Sequence, residues 1–314
     1  GDSYFRTEGR SQMNSNSVPQ ASPSDANLFD ALPYAWWWKH ANHWGYKPYT
    51  NPGAPRMDRG NAVEPALPYL LEFGCSGESI AQAADLCQKT FLEETAETRA
   101  KWEAFRHGED VSEFEAFLED VTEPTLTDEE SVEYRDIPLY VQAVANALQS
   151  EEWANANLGE IIHQQLRVQM DVTTDLATQL WRGFIDFRFV TGCVDLKTTR
   201  SANLSGMSAD HTLQTSFYRQ ALGGDVDQYC LYVKPVGLTK SGKKSTAQSW
   251  KLVKLSEEKF ASGRSRIPAL SAAMAAIYQM DTRLSKLVCL PRDPSHFRWD
   301  EQLRQLAKQE WGIV

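Results

Sequence analysis

Two runs of β-branched, aromatic and aliphatic residues, Phe184 to Val190 and Cys193 to Leu196, stand on either side of Thr191-Gly192. An X-Gly pair between such runs reads as a β-hairpin, because glycine tolerates the positive φ of a tight turn. A two-residue turn pairs Val190 with Cys193, Arg188 with Asp195 and Asp186 with Lys197. Side chains alternate along a strand, so Asp186, Arg188, Asp195 and Lys197 share one face. Ile185, Phe187, Phe189, Val194 and Leu196 share the other, which must be the buried one. Two carboxylates with a backbone carbonyl between them suit a hard divalent cation, and a nearby lysine can orient water or offset developing negative charge. The same four residues also suit ordinary cross-strand charge pairs on a solvated face. The hairpin alone leaves both readings open.

A second element lies downstream. Gln214 and Tyr218 are four residues apart and therefore share one face of a helix, with Leu213, Phe217 and Leu222 as its apolar side. The ordered set Asp186, then Asp195-Leu196-Lys197, then Gln214-x-x-x-Tyr218 resembles the motifs of the PD-(D/E)xK nuclease superfamily. The trailing Gln-x-x-x-Tyr resembles its RecB-like and RecE-like branches. The stretch from Asp195 to Gln220 is similar to phage exonucleases of the RecE and lambda kinds. Met57 to Glu64 resembles the Gly-x-x-x-(His/Glu) helix of these enzymes in its acidic form. Taken by itself, Glu64 also fits a solvated glutamate on an amphipathic helix. Ser22 to Tyr34 resembles their opening helix, with Ser24 or Asp25 as its cap. The matched motifs are scattered between residues 22 and 218.

The resemblance implies an α/β (α+β) fold, a central mixed β-sheet flanked by helices with a restriction-endonuclease-like core. It implies Mg2+, with Mn2+ able to substitute, held by Asp186, Asp195, the Leu196 carbonyl and Glu64. Lys197 would then position or help deprotonate the attacking water and steady the phosphorane charge, while Gln214 and Tyr218 orient the site. Arg59, Arg188 and Arg200 are candidates for phosphate contacts, with Arg56 and Arg182 beside them, and each also fits a surface arginine. His211 reads as structural. The implied activity is Mg2+-dependent exonuclease cleavage of linear DNA from its ends, in phage-type recombination or DNA processing. A structure-selective or sequence-specific endonuclease of the same superfamily is the alternative, as is a non-catalytic DNA-binding or assembly module. The intact set of Glu64, Asp186, Asp195 and Lys197 speaks against the last. Beyond DNA, the partners implied are a single-strand annealing protein, a helicase or further copies of the chain.

Other chemistries find no support. Leu32, not cysteine, precedes Pro33 where the iron–sulfur branch carries a ligand, and the five cysteines are dispersed with no C-x-x-C. No iron–sulfur cluster or zinc site is expected, and a scattered, odd-numbered set fits a reducing cytoplasm, bacterial or phage-infected. No P-loop is present, so no ATP is expected. No apolar run approaches membrane-spanning length, and the N-terminus lacks a secretory pattern.

The net charge of −10 sits oddly with a DNA ligand until it is mapped. From Glu72 to Asp136 there are nineteen acidic residues against five basic, whereas Cys230 to Cys289 holds eleven basic and three acidic. The asymmetry predicts an acidic outer face and a basic groove.

Residues 1–21 are polar and read as disordered; 22–314 read as one nuclease domain with a helical, acidic subregion at about 77–150. Periodicity predicts helices over 24–44, 57–72, 77–93, 96–106, 111–119 and 127–149. The aromatics of the first, Trp36, Trp37, Trp38 and Trp44, read as core packing, with base stacking as the other reading. Strands follow at 160–172, 180–190 and 193–198, then the Gln214 helix, strands at 229–235 and 250–255, and helices over 256–280 and 300–309.

Overall fold

The computed structural model describes residues 18–33, 36, 40, 53–107, 122–201, 204, 206–238 and 241–279. Five strands, β1 (Ile161–Thr173), β2 (Thr178–Phe189), β3 (Gly192–Thr198), β4 (Asp227–Val233) and β5 (Trp250–Lys254), form one sheet in sequential order. Neighbours are antiparallel except β3 and β4, which are parallel, so the sheet is mixed. The helices are α1 (Pro23–Ala31), α2 (Pro55–Val63), α3 (Ala66–Phe73), α4 (Gly77–Arg106), α5 (Asp128–Leu148), α6 (Glu151–Ala156), α7 (Ala209–Ala221) and α8 (Glu257–Gln279). Helix α7 makes the crossover that a parallel pair requires.

Helices cover both sheet faces. On one, α1, α7 and α8 pack Phe29, Phe217 and Met274 against Val168, Trp181 and Ile185. On the other, α2 to α5 pack Leu67, Phe91 and Tyr140 against Phe187, Val194 and Leu231. The predicted mixed sheet flanked by helices is the architecture found. Among the described residues, no helix is long and apolar enough to cross a membrane.

Several boundaries differ from the sequence reading for identifiable reasons. The helix expected over 57–72 is two helices, because Pro65 lacks the N–H that a continuous helix needs. The helices expected at 77–93 and 96–106 are one, since no proline or glycine interrupts α4 after Gly77. Helix α1 begins at Pro23 and is capped by Ser22, whose hydroxyl accepts from the Asp25 N–H while Asp25 accepts from the Ser22 N–H. Asp25 therefore completes a capping box and is not the cap itself. Residues 18–21, grouped with a disordered tail, dock on β2: Ala21 bridges Trp181, and Gln179 donates to the Pro19 carbonyl. Trp36 is core, 1% exposed. The helices expected at 111–119 and 300–309, and Trp37, Trp38 and Trp44, lie outside the described residues.

The hairpin differs most. Arg188 pairs with Cys193 and Phe187 with Val194, two residues away from the register a two-residue turn would give. The N–H groups of Val190 and Thr191 donate instead to Glu160 and Leu158, so the segment before β1 takes up the turn. Nor is one face simply buried. Phe187, Phe189, Val194 and Leu196 pack toward α2–α5, but Ile185 packs toward α7, breaking the alternation of β2 next to Asp186.

Helix α8 approaches α7 so closely that a Cβ on Gly263 would stand 2.1 Å from Ser216 Oγ and 2.6 Å from its Cβ. Alanine at a helix interior gains about 1 kcal/mol of propensity over glycine. Overpacking costs ~1–3 kcal/mol, and the Ser216 Cβ cannot rotate away. Gly263→Ala should therefore lower the melting temperature in a thermal scan, and adding Ser216→Gly should recover part of the loss.

Candidate active site

The site forms where β2 and β3 part. Their ladder ends at Phe187 and Val194. Beyond it, the Leu196 N–H donates to Asp186 Oδ2 at 2.9 Å, so a carboxylate takes the place of a backbone acceptor. Asp186 and Asp195 are 8% and 2% exposed. Lys197 Nζ lies 2.6 Å from Asp195 Oδ2 as an ion pair. Among the described residues, Asp195 Oδ1 is buried with no hydrogen-bond donor.

Glu64 enters from the corner between α2 and α3, half-buried, with its Oε2 accepting from Gln165 Nε2 at 2.8 Å. Gln165 sits on β1 in the register position opposite Asp186 and has φ of 49°. A left-handed glutamine inside a strand is uncommon, and here it lies beside the break in β2. Sequence reasoning missed Gln165, because nothing in the residue type predicts that backbone; glycine or asparagine would have signalled it. From the α7 side, Tyr218 reaches in, its hydroxyl accepting from Gln214 Nε2 at 2.8 Å. Gly183 makes room for it: a Cβ there would meet the Tyr218 ring at 2.8 Å and Phe217 at 3.0 Å.

The electrostatics follow from burial. Asp186 is pushed up to about 8 by desolvation, with the charges of Asp195 and Glu64 adding to it and Lys197 and the Leu196 N–H opposing. Glu64 rises to about 7, again chiefly by desolvation and then by Asp195, against Lys197 and Gln165. Burial would lower Lys197, but Asp195 and Asp186 outweigh it and hold the ammonium protonated. Burial, reinforced by Asp195, also raises Tyr218 and keeps it neutral.

The donor set fits a hard divalent cation: buried carboxylates crowded enough to resist ionising, one carboxylate oxygen without a partner, and oxygen ligands only. Among the described residues, no group of three or more His, Cys, Asp or Glu side chains is placed to hold a metal ion, so side chains alone do not complete a ligand shell. A cleft of about 320 Å3 opens on Glu64, Gln165 and Asp186, with Pro65, Pro68 and Tyr69 among its walls. Asp195 and Lys197 do not line it.

The arginines expected at phosphates are held elsewhere. Arg59, 5% exposed, donates to Glu133 at 2.6 Å and lies over the Tyr140 ring. Arg200 bonds Glu133 at 2.9 Å and pairs with Asp136 at 2.8 Å. Arg188 donates to the carbonyls of Phe189 and Gly192. His211 lies 2.7 Å from the Tyr232 hydroxyl through Nδ1, and Tyr232 is the register partner of Lys197 on β4.

No family model matches the sequence, and no curated protein does. Among solved structures, the chain is similar to a candidate exonuclease from Eubacterium rectale, at 10% identity over 98% of this chain and 100% of that one, with a TM-score of 0.46. It is also similar to the protein SSO0001, at 11% identity over 49% of this chain and 69% of that one, with a TM-score of 0.27. Likenesses this distant leave the chemistry to be argued from the site.

Raised carboxyl pKa values carry a definite sign. Asp186 and Glu64 hold protons in the fold that the unfolded chain releases near pH 4, so their contribution is full below that and is lost as pH rises through about 7 to 8. In chelator, Asp186→Asn should therefore stabilise the protein more at about pH 8.5 than at about pH 5, by on the order of a few kcal/mol. Thermal scans of both proteins at both pH values check this, and an unchanged difference would count against the electrostatics above.

Proposed function

We propose that this chain is a metal-dependent nuclease that hydrolyses phosphodiester bonds in DNA. The observation that carries the reading is the pair of buried carboxylates at the fork, Asp186 and Asp195, of which Asp195 pairs with Lys197 through one oxygen and leaves the other without a partner. A fold gains nothing from two such groups side by side unless something cationic joins them. The resemblance of Asp186, Asp195-Leu196-Lys197 and Gln214-x-x-x-Tyr218 to PD-(D/E)xK motifs supports the same reading.

Asp186, Asp195 and the Leu196 carbonyl would hold Mg2+ or Mn2+, with Glu64 beside them. The ion would supply Lewis acidity toward a phosphoryl oxygen and make a nearby water more acidic. Lys197 keeps its proton, so its part is to attract and orient, placing positive charge where the phosphorane gathers negative charge. Gln165 holds Glu64 on one side of the fork. Gln214 holds the Tyr218 hydroxyl on the other, where a neutral phenol can donate to a phosphate without adding charge. The finer reading is an exonuclease that works inward from the ends of linear DNA in phage-type recombination. It rests on the RecE-like and lambda-like character of residues 195 to 220.

Asp195→Asn and Lys197→Ala should each abolish or nearly abolish cleavage in Mg2+. Lys197→Ala should lose far more rate than DNA affinity, because its charge acts on the transition state. Lys197→Arg should not rescue fully, since the guanidinium is larger and planar. The assay compares supercoiled plasmid with the same plasmid linearised. Activity on the linear form alone fits the exonuclease, rapid cutting of the closed circle replaces it with an endonuclease, wild-type rates in both variants would remove the fork as the active site, and no cleavage by the wild type would remove the nuclease.

A further inference from the structure

The outer half of the β1–β2 ribbon extends past the helices that cover the rest of that sheet face. Alternation there is regular. Val168, Val172, Trp181 and Ile185 are buried toward α7 and α8, while Gln165, Arg167, Gln169 and Phe184 are exposed on the opposite face. Phe184 is 54% exposed, among the most exposed large apolar side chains described. Register places Arg167 directly across from Phe184, and Gln169 across from Arg182. Partners across a ladder share a face, so Phe184 has Arg167 across the ladder from it and Arg182 two residues away along β2.

Those arginines differ from most of the others. Arg59, Arg99, Arg135, Arg200, Arg219 and Arg266 each have a carboxylate. Among the described residues, neither Arg167 nor Arg182 has an ion-pair partner, and Arg182 Nε is buried with no acceptor at all. A half-buried guanidinium without an acceptor is costly unless a ligand supplies one. An exposed aromatic ring flanked by unpaired guanidinium groups has the chemistry that holds a single strand of nucleic acid, with bases stacking on the ring and phosphates meeting the arginines.

The row leads to the site. Phe184 precedes Asp186 by two residues on β2 and Arg182 by four, which at ~3.3 Å per residue puts them roughly 7 and 13 Å away. We propose that Phe184, Arg167 and Arg182 form a track for the single-stranded segment of DNA next to the scissile phosphate. The proposal rests on the nuclease reading, which it deepens by naming an unpaired strand as what the site grips. Any base can stack on Phe184, so the track would be indifferent to sequence.

The test is fluorescence anisotropy of a labelled single strand with the full chain in chelator, where nothing is cut. Phe184→Ala should weaken binding about ten-fold, and Phe184→Trp should retain it. The double variant Arg167→Ala/Arg182→Ala should weaken binding and flatten the slope of log affinity against log salt by about 1.4, the value for two lost phosphate contacts. The three substituted positions are exposed or half-exposed, and circular dichroism checks the fold. Wild-type affinity in the alanine variants, or no strand binding by the wild type, would overturn the track. So would light scattering in which Phe184→Ala splits an oligomer while strand affinity is unchanged, since the face would then join two copies of the chain. Plasmid cleavage separates the two ideas. A wild type that cuts DNA alongside a Phe184→Ala variant that binds and cuts equally well removes the track and keeps the nuclease. A wild type that cuts nothing, yet binds strands through these residues, does the reverse.

Discussion

One hydrogen bond organises this molecule, from the Leu196 N–H to the Asp186 carboxylate. A regular ladder would give that N–H a carbonyl on β2, and the strands would stay zipped. The side chain answers it instead, so β2 can leave β3 without orphaning a buried donor, which would cost about 1–3 kcal/mol. The departure has two results. It opens the fork in which Asp195 and Lys197 face Asp186, and it frees the outer half of β2 to run on with β1 as a two-stranded ribbon. Residues 18–21 take up part of the edge that β3 gives up, through bonds between Ala21 and Leu180 and Arg182.

A second cluster holds the walls of the fork in place. Glu133 of α5 receives both Arg59 from α2 and Arg200 from the segment after β3, while Asp136 takes the other side of Arg200. Tyr140 lies under Arg59 and donates to the Thr199 carbonyl at 3.3 Å. The helix that ends at Glu64 and the strand that carries Lys197 are thus tied to one carboxylate. Such a network adds less to stability than to fixing one arrangement, because desolvating its charges offsets much of their attraction. It also explains part of the acidic stretch before Asp136. Glu130, Glu133 and Asp136 are buried acids, Glu130 paired with Arg99, Glu133 with Arg59 and Arg200, and Asp136 with Arg200, and only the remainder can form an acidic exterior.

Periodicity was enough to place the sheet. Each strand expected from alternation is present within about two residues, because alternation reports burial directly. Register was beyond it. Counting a two-residue turn from Thr191-Gly192 put Arg188 beside Asp195, whereas contacts from Leu158 and Glu160, about thirty residues earlier, decide the pairing. Asp186, Asp195, Lys197, Gln214 and Tyr218 were legible as a motif. The slip itself is even and so preserves the alternation of side chains; the alternation of β2 is broken only at Ile185, next to Asp186. The bonds of Arg59 and Arg200 to Glu133 were not legible for a different reason: an arginine's partner is set by tertiary packing, and nothing in its neighbours announces Glu133. Gln165 was invisible, since its importance lies in a backbone angle that its side chain does not favour.

Charge counting ties the site to its proposed ligand. Glu64, Asp186 and Asp195 would carry three negative charges if all were ionised, and Lys197 returns one. Desolvation is the main reason that the pKa values of Asp186 and Glu64 are raised, and the charge of Asp195 adds to it. Protons can relieve the charge imbalance, but they would leave Asp195 Oδ1 buried and unmatched. A single divalent cation relieves both at once, cancelling the charge and giving that oxygen a partner. It would also compete directly with the protons on Asp186 and Glu64, so metal binding should release them and tighten as pH rises toward 8. The fold thus holds the fork at an electrostatic cost that the proposed ion would remove, and in the proposed nuclease Lys197, already paired, would be left to act on the phosphate.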